Sequence, residues 1–221
     1  MSRCVIAGGA EIRDYERMRS YLRADDYIIY CDSGLRHMAG LGRHPSLIIG
    51  DFDSADRPDI DVETIVLPVA KDDTDTMHAV KVGIEKGFTD FLLLGVTGGR
   101  ADHSLVNLYA LFYLDSNGCR GMIADEYSEM EVISAHSKAD GEKTETVPGR
   151  GYVEDRYPFF SLINMTGTAR GITIKDAKFP LEDGEITSEY QYATSNEVLA
   201  GKTAEITIRE GRLLLIRDLY R

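Results

Sequence analysis

The sequence predicts an α/β protein: a mostly parallel sheet in an N-terminal domain with helices on both faces, followed by an all-β sandwich C-terminal domain. Three observations carry the expectation. In the first half, short fully apolar runs alternate with stretches of helical spacing, the pattern of crossover units around a parallel sheet. Helical periodicity then fades after about residue 126. Beyond it come short segments that alternate apolar and polar residues, as half-buried strands do. The expected division is 1–126 and 127–221.

Cys4–Ala7 reads as the first buried strand and Ile12–Arg23 as the first helix. Tyr27–Cys31 is again strand-like, Leu35–Leu41 a short helix, and Leu47–Ile49 a short buried strand. Thr74–Lys86 is helical, with Met77, Val80 and Ile84 spaced by three and four. Phe91–Leu94 is a buried strand and Leu105–Leu114 a helix. In the second half Ser161–Met165, Ile172–Ile174, Ala204–Arg209 and Arg212–Arg217 are short strands. Glu210-Gly211 is expected to join the last two as a hairpin turn. Residues 137–151, rich in Lys, Glu, Gly and Thr, are expected to form an exposed loop.

The chain has 221 residues, with 25 Lys and Arg against 37 Asp and Glu, a net charge of −12. Hydrophobic residues make up 43%, enough apolar surface to offset chain entropy, so disorder is excluded. The acid excess argues against a nucleic-acid partner, because a duplex binder needs a basic face. Cys4, Cys31 and Cys119 are odd in number and form no Cys-x-x-Cys pair, which favours a reducing cytoplasm over a disulfide framework or a zinc site. Apolar runs such as Phe91–Leu94 are too short to span a membrane, and Ser2–Gly9 is too short for a signal peptide. No membrane partner is expected.

In a parallel sheet ligands sit beyond the carboxyl ends of the strands, and four polar clusters follow predicted strands there. Asp32-Ser33-Gly34 suits close approach of an anion to backbone N–H groups, or else a helix N-cap by Asp32 or Ser33. Gly50-Asp51-Phe52-Asp53-Ser54 places two carboxylates on one side of an extended segment, about 7 Å apart. Such a pair can share Mg²⁺, which takes one or two carboxylates plus phosphate oxygens. The other possibility is an acidic turn. Lys71-Asp72-Asp73-Thr74-Asp75 opens a helix; Thr74 or Asp73 can cap it, but three aspartates in four residues exceed what a cap needs. Lys71 can meet phosphate. Gly95-Val96-Thr97-Gly98-Gly99-Arg100-Ala101-Asp102-His103 combines glycines that admit a backbone close to phosphate with an Arg that can grip it. It contains no Walker pattern. His103 reads as a base, a metal ligand or simply a hydrogen-bonding residue. Residues alone point to a Mg²⁺–nucleotide enzyme of phosphoryl or nucleotidyl transfer with an unidentified acceptor.

In order and spacing, these four clusters resemble the motifs of the thiamine pyrophosphokinase family. In the second half Ser161-Leu162-Ile163, Ala177-Lys178-Phe179-Pro180-Leu181 and Thr194-Ser195-Asn196 sit where that family has its β-domain motifs. The resemblance implies transfer of pyrophosphate from ATP to the hydroxyl of thiamine, giving thiamine diphosphate and AMP. It implies a homodimer with active sites between subunits, residues 1–126 as the nucleotide- and Mg²⁺-binding catalytic domain and 127–221 as the thiamine-binding and dimerisation domain. Asp51, Asp53 and Asp75 would hold Mg²⁺ and, with Arg100, form the catalytic set. Asp32, Ser33, Gly34, Lys71, Asp72, Thr74, Thr97, Gly98, Gly99, Arg100, Asp102 and His103 would lie on the nucleotide. Phe179, Ser195 and Asn196 would contact thiamine, with Phe179 stacking on it; its alternative is an aromatic of the core. The chain departs from the family in having Asp32-Ser33-Gly34-Leu35-Arg36 where Asp-Gly-Gly-Ala-Asn is usual, and it contains no Trp. Rival assignments are a pyrophosphokinase for a hydroxymethyl pterin, a silent thiamine or nucleotide sensor, and a purely structural protein.

Of the net charge, residues 1–126 carry −8, from 13 basic and 21 acidic residues. Seven motif aspartates (32, 51, 53, 72, 73, 75 and 102) can account for most of it, so the acidity is expected to be concentrated at a cation site.

Overall fold

A computed structural model describes residues 2–52, 60–68, 70, 72–140 and 143–220. The chain forms two compact units, Met1–Glu126 and Tyr127–Arg221.

The first unit is built on strands β1 (Cys4–Ala7), β2 (Tyr27–Cys31), β3 (Leu47–Gly50), β4 (Thr64–Val66), β5 (Asp90–Leu94) and β6 (Arg120–Ala124). Their spatial order is β6-β5-β1-β2-β3-β4, and every pair is parallel. The central strands are apolar throughout because both faces are covered, and all four residues of β1 are buried. On one face, Val5, Ala7, Ile28, Tyr30, Leu92 and Leu94 pack with Met18 of α1 (Tyr15–Ser20) and Leu41 of α2 (Met38–Leu41). The alternate residues Cys4 and Phe91 meet α3 (Asp75–Glu85), where Gly83 gives them room; a Cβ there would lie 2.6 Å from the Phe91 ring. The fourth helix, α4 (Ala101–Ser116), packs on α3 and β6.

Three helical expectations change in extent, the expected Leu105–Leu114 lengthening to Ala101–Ser116. The first helix is shorter than Ile12–Arg23 because Asp14 caps it, its carboxylate accepting the Arg17 N–H at 2.9 Å. Ile12 thereby belongs to the preceding loop. The expected Leu35–Leu41 helix begins earlier, as a 3₁₀ helix over Asp32–His37, then continues as α2 and stops at Gly42. Its N-cap is Cys31 with no side-chain cap bond, so Asp32 and Ser33 are not used as helix caps.

The second unit contains two antiparallel sheets. One has the order β11-β15-β7, from β11 (Phe159–Ile163), β15 (Arg212–Asp218) and β7 (Ser128–Ser134). The other has the order β10-β14-β12-β13, from β10 (Gly149–Glu154), β14 (Thr203–Ile208), β12 (Thr168–Lys175) and β13 (Leu181–Thr187). Ile133, Leu162, Leu213 and Leu215 from the first sheet share a core with Ile172, Ala204, Ile206 and Ile208 from the second. This is the sandwich the alternating pattern predicts.

The expected hairpin at Glu210-Gly211 is not formed. The turn carries the chain from one sheet to the other, so β14 pairs with β10 and β12 while β15 pairs with β7 and β11. Gly211 takes φ 81 and lies against Thr168, where a Cβ would meet the carbonyl oxygen at 2.4 Å. A short Gly turn serves a hairpin and a sheet-to-sheet corner equally well, and local sequence does not separate them. The expected loop at 137–151 instead holds an antiparallel ribbon, β8 (His136–Asp140) with β9 (Lys143–Val147), and the start of β10. Pairing of two strands through backbone groups needs no apolar alternation to announce it.

Candidate active site

The order of the parallel strands reverses between β1 and β5: successive strands run outward one way from β1 and the other way from β5. Ligands bind outside the carboxyl ends at such a switch point. The loops leaving these two strands are tied together there, Gly8 N–H donating to Leu94 O at 2.9 Å and Ala10 N–H to Gly95 O at 2.7 Å. They form one wall of a cleft of about 700 Å³.

Four strand-end segments bring predicted residues to this cleft. Asp32 and Ser33 come from the end of β2, Asp51 from the end of β3, and Thr74 and Asp75 from the start of α3. Gly98, Gly99, Arg100 and His103 come from the loop between β5 and α4. Gly34 lies beneath the cleft and serves packing: a Cβ there would stand 2.1 Å from Ala7 O. Gly50 has the same office beside Asp32, whose Cβ would be 2.8 Å from a Cβ at Gly50. Asp32 at φ 28 and Phe52 at φ 51 hold left-handed backbone without being glycine. Such strained residues concentrate where a site dictates geometry.

Thr74 is the cap that the sequence proposes for α3, accepting the Met77 N–H at 3.2 Å. Asp73 pairs with Lys81 at 2.5 Å. Thr97 donates to Asp125 at 2.8 Å, and Asp102 pairs with Arg100 at 2.6 Å. The Arg100 hydrogen bonds hold the Asp102 carboxyl down at about 2. Asp72, Thr97 and Asp102 lie near these segments but are not among the residues lining the cleft. Asp53 and Lys71 lie outside the described residues.

Gly95 and Val96 of the fourth cluster line the cleft as well, and sequence reasoning missed Gly9, Ala10, Glu11, Cys31, Arg36, Thr76 and Asn107, which also line it. The Gly8-Gly9 pair directly after β1 is the one signal that could have located the first of these. Asn107 is buried and donates to Val96 O at 2.7 Å, fixing the β5–α4 loop from below. His37 is buried behind the opposite loop, its Nε2–H donating to Ala10 O at 2.8 Å and its Nδ1 accepting from Tyr15 OH at 2.8 Å. Burial pulls its pKa below 6.5 and favours this neutral form.

The donor set suits a hard cation. Asp51 and Asp75 contribute carboxylate oxygens to one cleft, and Mg²⁺ is typically held by one or two carboxylates together with phosphate oxygens. Among the described residues no group of three His, Cys, Asp or Glu side chains is close enough to hold a metal alone. A cation held by Asp51 and Asp75 would share its ligands with a phosphorylated substrate.

A second cavity, about 150 Å³, lies in the second unit and is lined by Phe179, Pro180, Tyr192, Thr194 and Asn196 among others. Phe179 is 60% exposed, which rules out the core alternative. Asn196 is buried and grips the Phe179 backbone from both sides: its Oδ1 accepts the Phe179 N–H at 3.0 Å and its Nδ2 donates to Phe179 O at 2.8 Å. Ser195 takes φ 54, and its N–H donates to Ser161 Oγ at 3.1 Å. Of the predicted second-half residues, Phe179 and Asn196 line this cavity, and Ser195 is not among its lining residues.

The chain is similar to known proteins over nearly its whole length. A family model for the thiamin pyrophosphokinase catalytic domain matches residues 18–123, and one for the thiamin pyrophosphokinase vitamin B1 binding domain matches residues 152–213. Thiamine pyrophosphokinase of Bacillus subtilis (strain 168) is 27% identical over 222 residues, spanning 97% of each chain. Among solved structures, thiamine pyrophosphokinase from Bacillus subtilis aligns over 100% of both chains with TM-score 0.82 at 22% identity. Thiamin pyrophosphokinase from Candida albicans aligns over 99% of this chain and 89% of its own with TM-score 0.74 at 13% identity. These structures share the fold.

Proposed function

The chain belongs to the thiamin pyrophosphokinase family of enzymes, and on that premise we propose that it transfers pyrophosphate from ATP to the hydroxyl of thiamine, giving thiamine diphosphate and AMP. The observation that carries this reading is the convergence of Asp32, Asp51, Thr74, Asp75 and Arg100 on one cleft at the switch point of the sheet. A triphosphate brings four negative charges to an acidic wall, so a cation must come with it. Mg²⁺, when bound by Asp51, Asp75 and Asp53, supplies neutralisation of the phosphate oxygens. Arg100 offsets the charge that develops on the transferred group.

The thiamine hydroxyl attacks the β-phosphorus in line, the bond from that phosphorus to the α,β-bridging oxygen breaks, and AMP leaves. The hydroxyl proton passes to a carboxylate of the cluster. Asp32, Ser33, Lys71, Asp72, Thr97, Gly98, Gly99, Asp102 and His103 orient the nucleotide, and Gly34 supports that wall from beneath. Phe179 stacks on a thiamine ring, and Ser195 and Asn196 contact thiamine. At about 150 Å³ the cavity beside Phe179 suits one heteroaromatic ring; complete ligand pockets run to about 300 Å³ or more. The same reading includes a cytoplasmic homodimer; no helix of the described residues is long and apolar enough to cross a membrane.

Incubation with ATP, thiamine and Mg²⁺ tests the proposal. AMP and thiamine diphosphate in equal amounts support it. ADP with thiamine monophosphate would make the enzyme a simple kinase, and turnover of a hydroxymethyl pterin in place of thiamine would move it to the rival substrate.

A further inference from the structure

The two loops that wall the cleft share one support. Strand β6 ends at Ala124, and the next two residues are both acidic. Asp125 accepts a hydrogen bond from Thr97 Oγ1 at 2.8 Å, inside the β5–α4 loop. Glu126 Oε1 accepts from the Asp14 N–H at 2.9 Å and from the Arg13 N–H beside it, at the end of the β1–α1 loop. Neither acid lines the cleft. Their targets nonetheless bracket it: Gly9, Ala10 and Glu11 belong to one loop and Gly98, Gly99 and Arg100 to the other.

The spatial order of strands explains why one dipeptide reaches both. Strand β6 is next to β5, and β5 is next to β1. Asp125 therefore meets the nearer loop and Glu126 reaches past it to the farther one. The chemistry is specific to acceptors. One carboxylate oxygen accepts from two consecutive backbone N–H groups ahead of a helix. The Ala10–Gly95 bond couples the loops, so slack in either reaches the other.

We propose that Asp125 and Glu126 are positioning residues of the nucleotide cleft, Glu126 holding the β1–α1 loop and Asp125 the β5–α4 loop in the conformation that receives phosphate. The nucleotide part of this inference rests on the function proposed above; the bracing does not.

Two pairs of variants test it, one conservative and one not. Glu126→Gln and Asp125→Asn keep an acceptor oxygen and lose the charge, whereas Glu126→Ala and Asp125→Ala lose both. In substrate-free protein, Glu126→Ala should speed amide hydrogen exchange about tenfold across residues 8–14, and Asp125→Ala should do so across 95–100. Each alanine variant should raise KM for ATP about tenfold while kcat stays within about twofold. The Gln and Asn variants should remain within about twofold of the parent protein in both readouts. Unchanged loop exchange in the alanine variants would overturn the bracing. So would accelerated exchange throughout the α/β unit, which would mean a general structural role. Gln and Asn variants as impaired as the alanine ones would also overturn it, by showing that charge and not the acceptor matters. A parent protein that makes no product from ATP and thiamine would defeat the proposed function, while the exchange measurement still decides the bracing.

Discussion

A methyl group added at Gly34 would lie 2.1 Å from the carbonyl oxygen of Ala7 and 3.0 Å from that of Gly8. Non-bonded heavy atoms sit comfortably at about 3.5 Å, so the 3₁₀ helix beginning at Asp32 must retreat from the end of β1 by about 1 Å. The obstacle is backbone, and no side-chain rotation relieves it. Overpacking of this kind costs about 1–3 kcal/mol of stability. The larger effect falls on catalysis, because Asp32 and Ser33 ride on the displaced segment, and a misplacement of about 1 Å can cost about a hundredfold in rate. Gly42 supplies the control. It ends α2 at φ 66, and a Cβ there would meet nothing within 4 Å. Alanine at Gly42 should therefore cost only left-handed strain, about 1 kcal/mol, with no movement of the cleft. The assay is ATP-dependent formation of thiamine diphosphate beside a thermal melt for each variant. Gly34→Ala should lose about a hundredfold in kcat/KM, and Gly42→Ala should stay within about twofold while melting lower. A folded Gly34→Ala enzyme within about threefold of the parent would refute the reasoning, as would equal kinetic damage from Gly42→Ala.

Asp51→Asn and Asp75→Asn should each lower kcat by about a hundredfold or more at saturating ATP and Mg²⁺, read as AMP release; near-normal turnover in either would remove it from the proposed metal set. Phe179→Ala should raise KM for thiamine about tenfold and leave KM for ATP unchanged, while Phe179→Trp should keep thiamine affinity because the ring face is retained. Thr74→Ala removes the cap of α3 and should destabilise the protein by about 1 kcal/mol in chemical denaturation. His37 gives a pH dependence of definite sign. Its pKa is depressed in the folded state, so below pH 6.5 the unfolded chain takes up the proton first. Its contribution is complete above that pH and is lost as the pH falls below it. Between about pH 7.5 and about pH 5.5 the melting temperature should drop more in the parent than in His37→Gln, and an equal drop would exclude His37 as the cause.

The legible parts of the fold were those where chemistry and burial coincide. Strands β1, β2, β3 and β5 are apolar runs because helices cover both faces, and the sandwich strands alternate because one face is wet. The carboxylate and glycine motifs were legible because strand ends at a switch point must carry the ligand-facing residues. Thr64–Val66 was missed because a three-residue, partly exposed edge strand carries almost no pattern. The Glu210-Gly211 corner was missed because turn chemistry says nothing about which sheet comes next. Asp32 looked like a cap because its residue type fits one, but the helix starts on Cys31 without using it. Asn107, Asp125 and Glu126 lie outside any local motif. Their roles come from long-range proximity, such as the 112-residue separation between Asp14 and Glu126.

The central claim is that two phosphates travel together from ATP to thiamine. ATP carrying radioactive label in its β-phosphate, turned over with thiamine and Mg²⁺, tests it most directly. The label should leave adenosine and appear in thiamine diphosphate while unlabelled AMP accumulates. Label that stays on adenosine as ADP, with thiamine monophosphate as the other product, would contradict it.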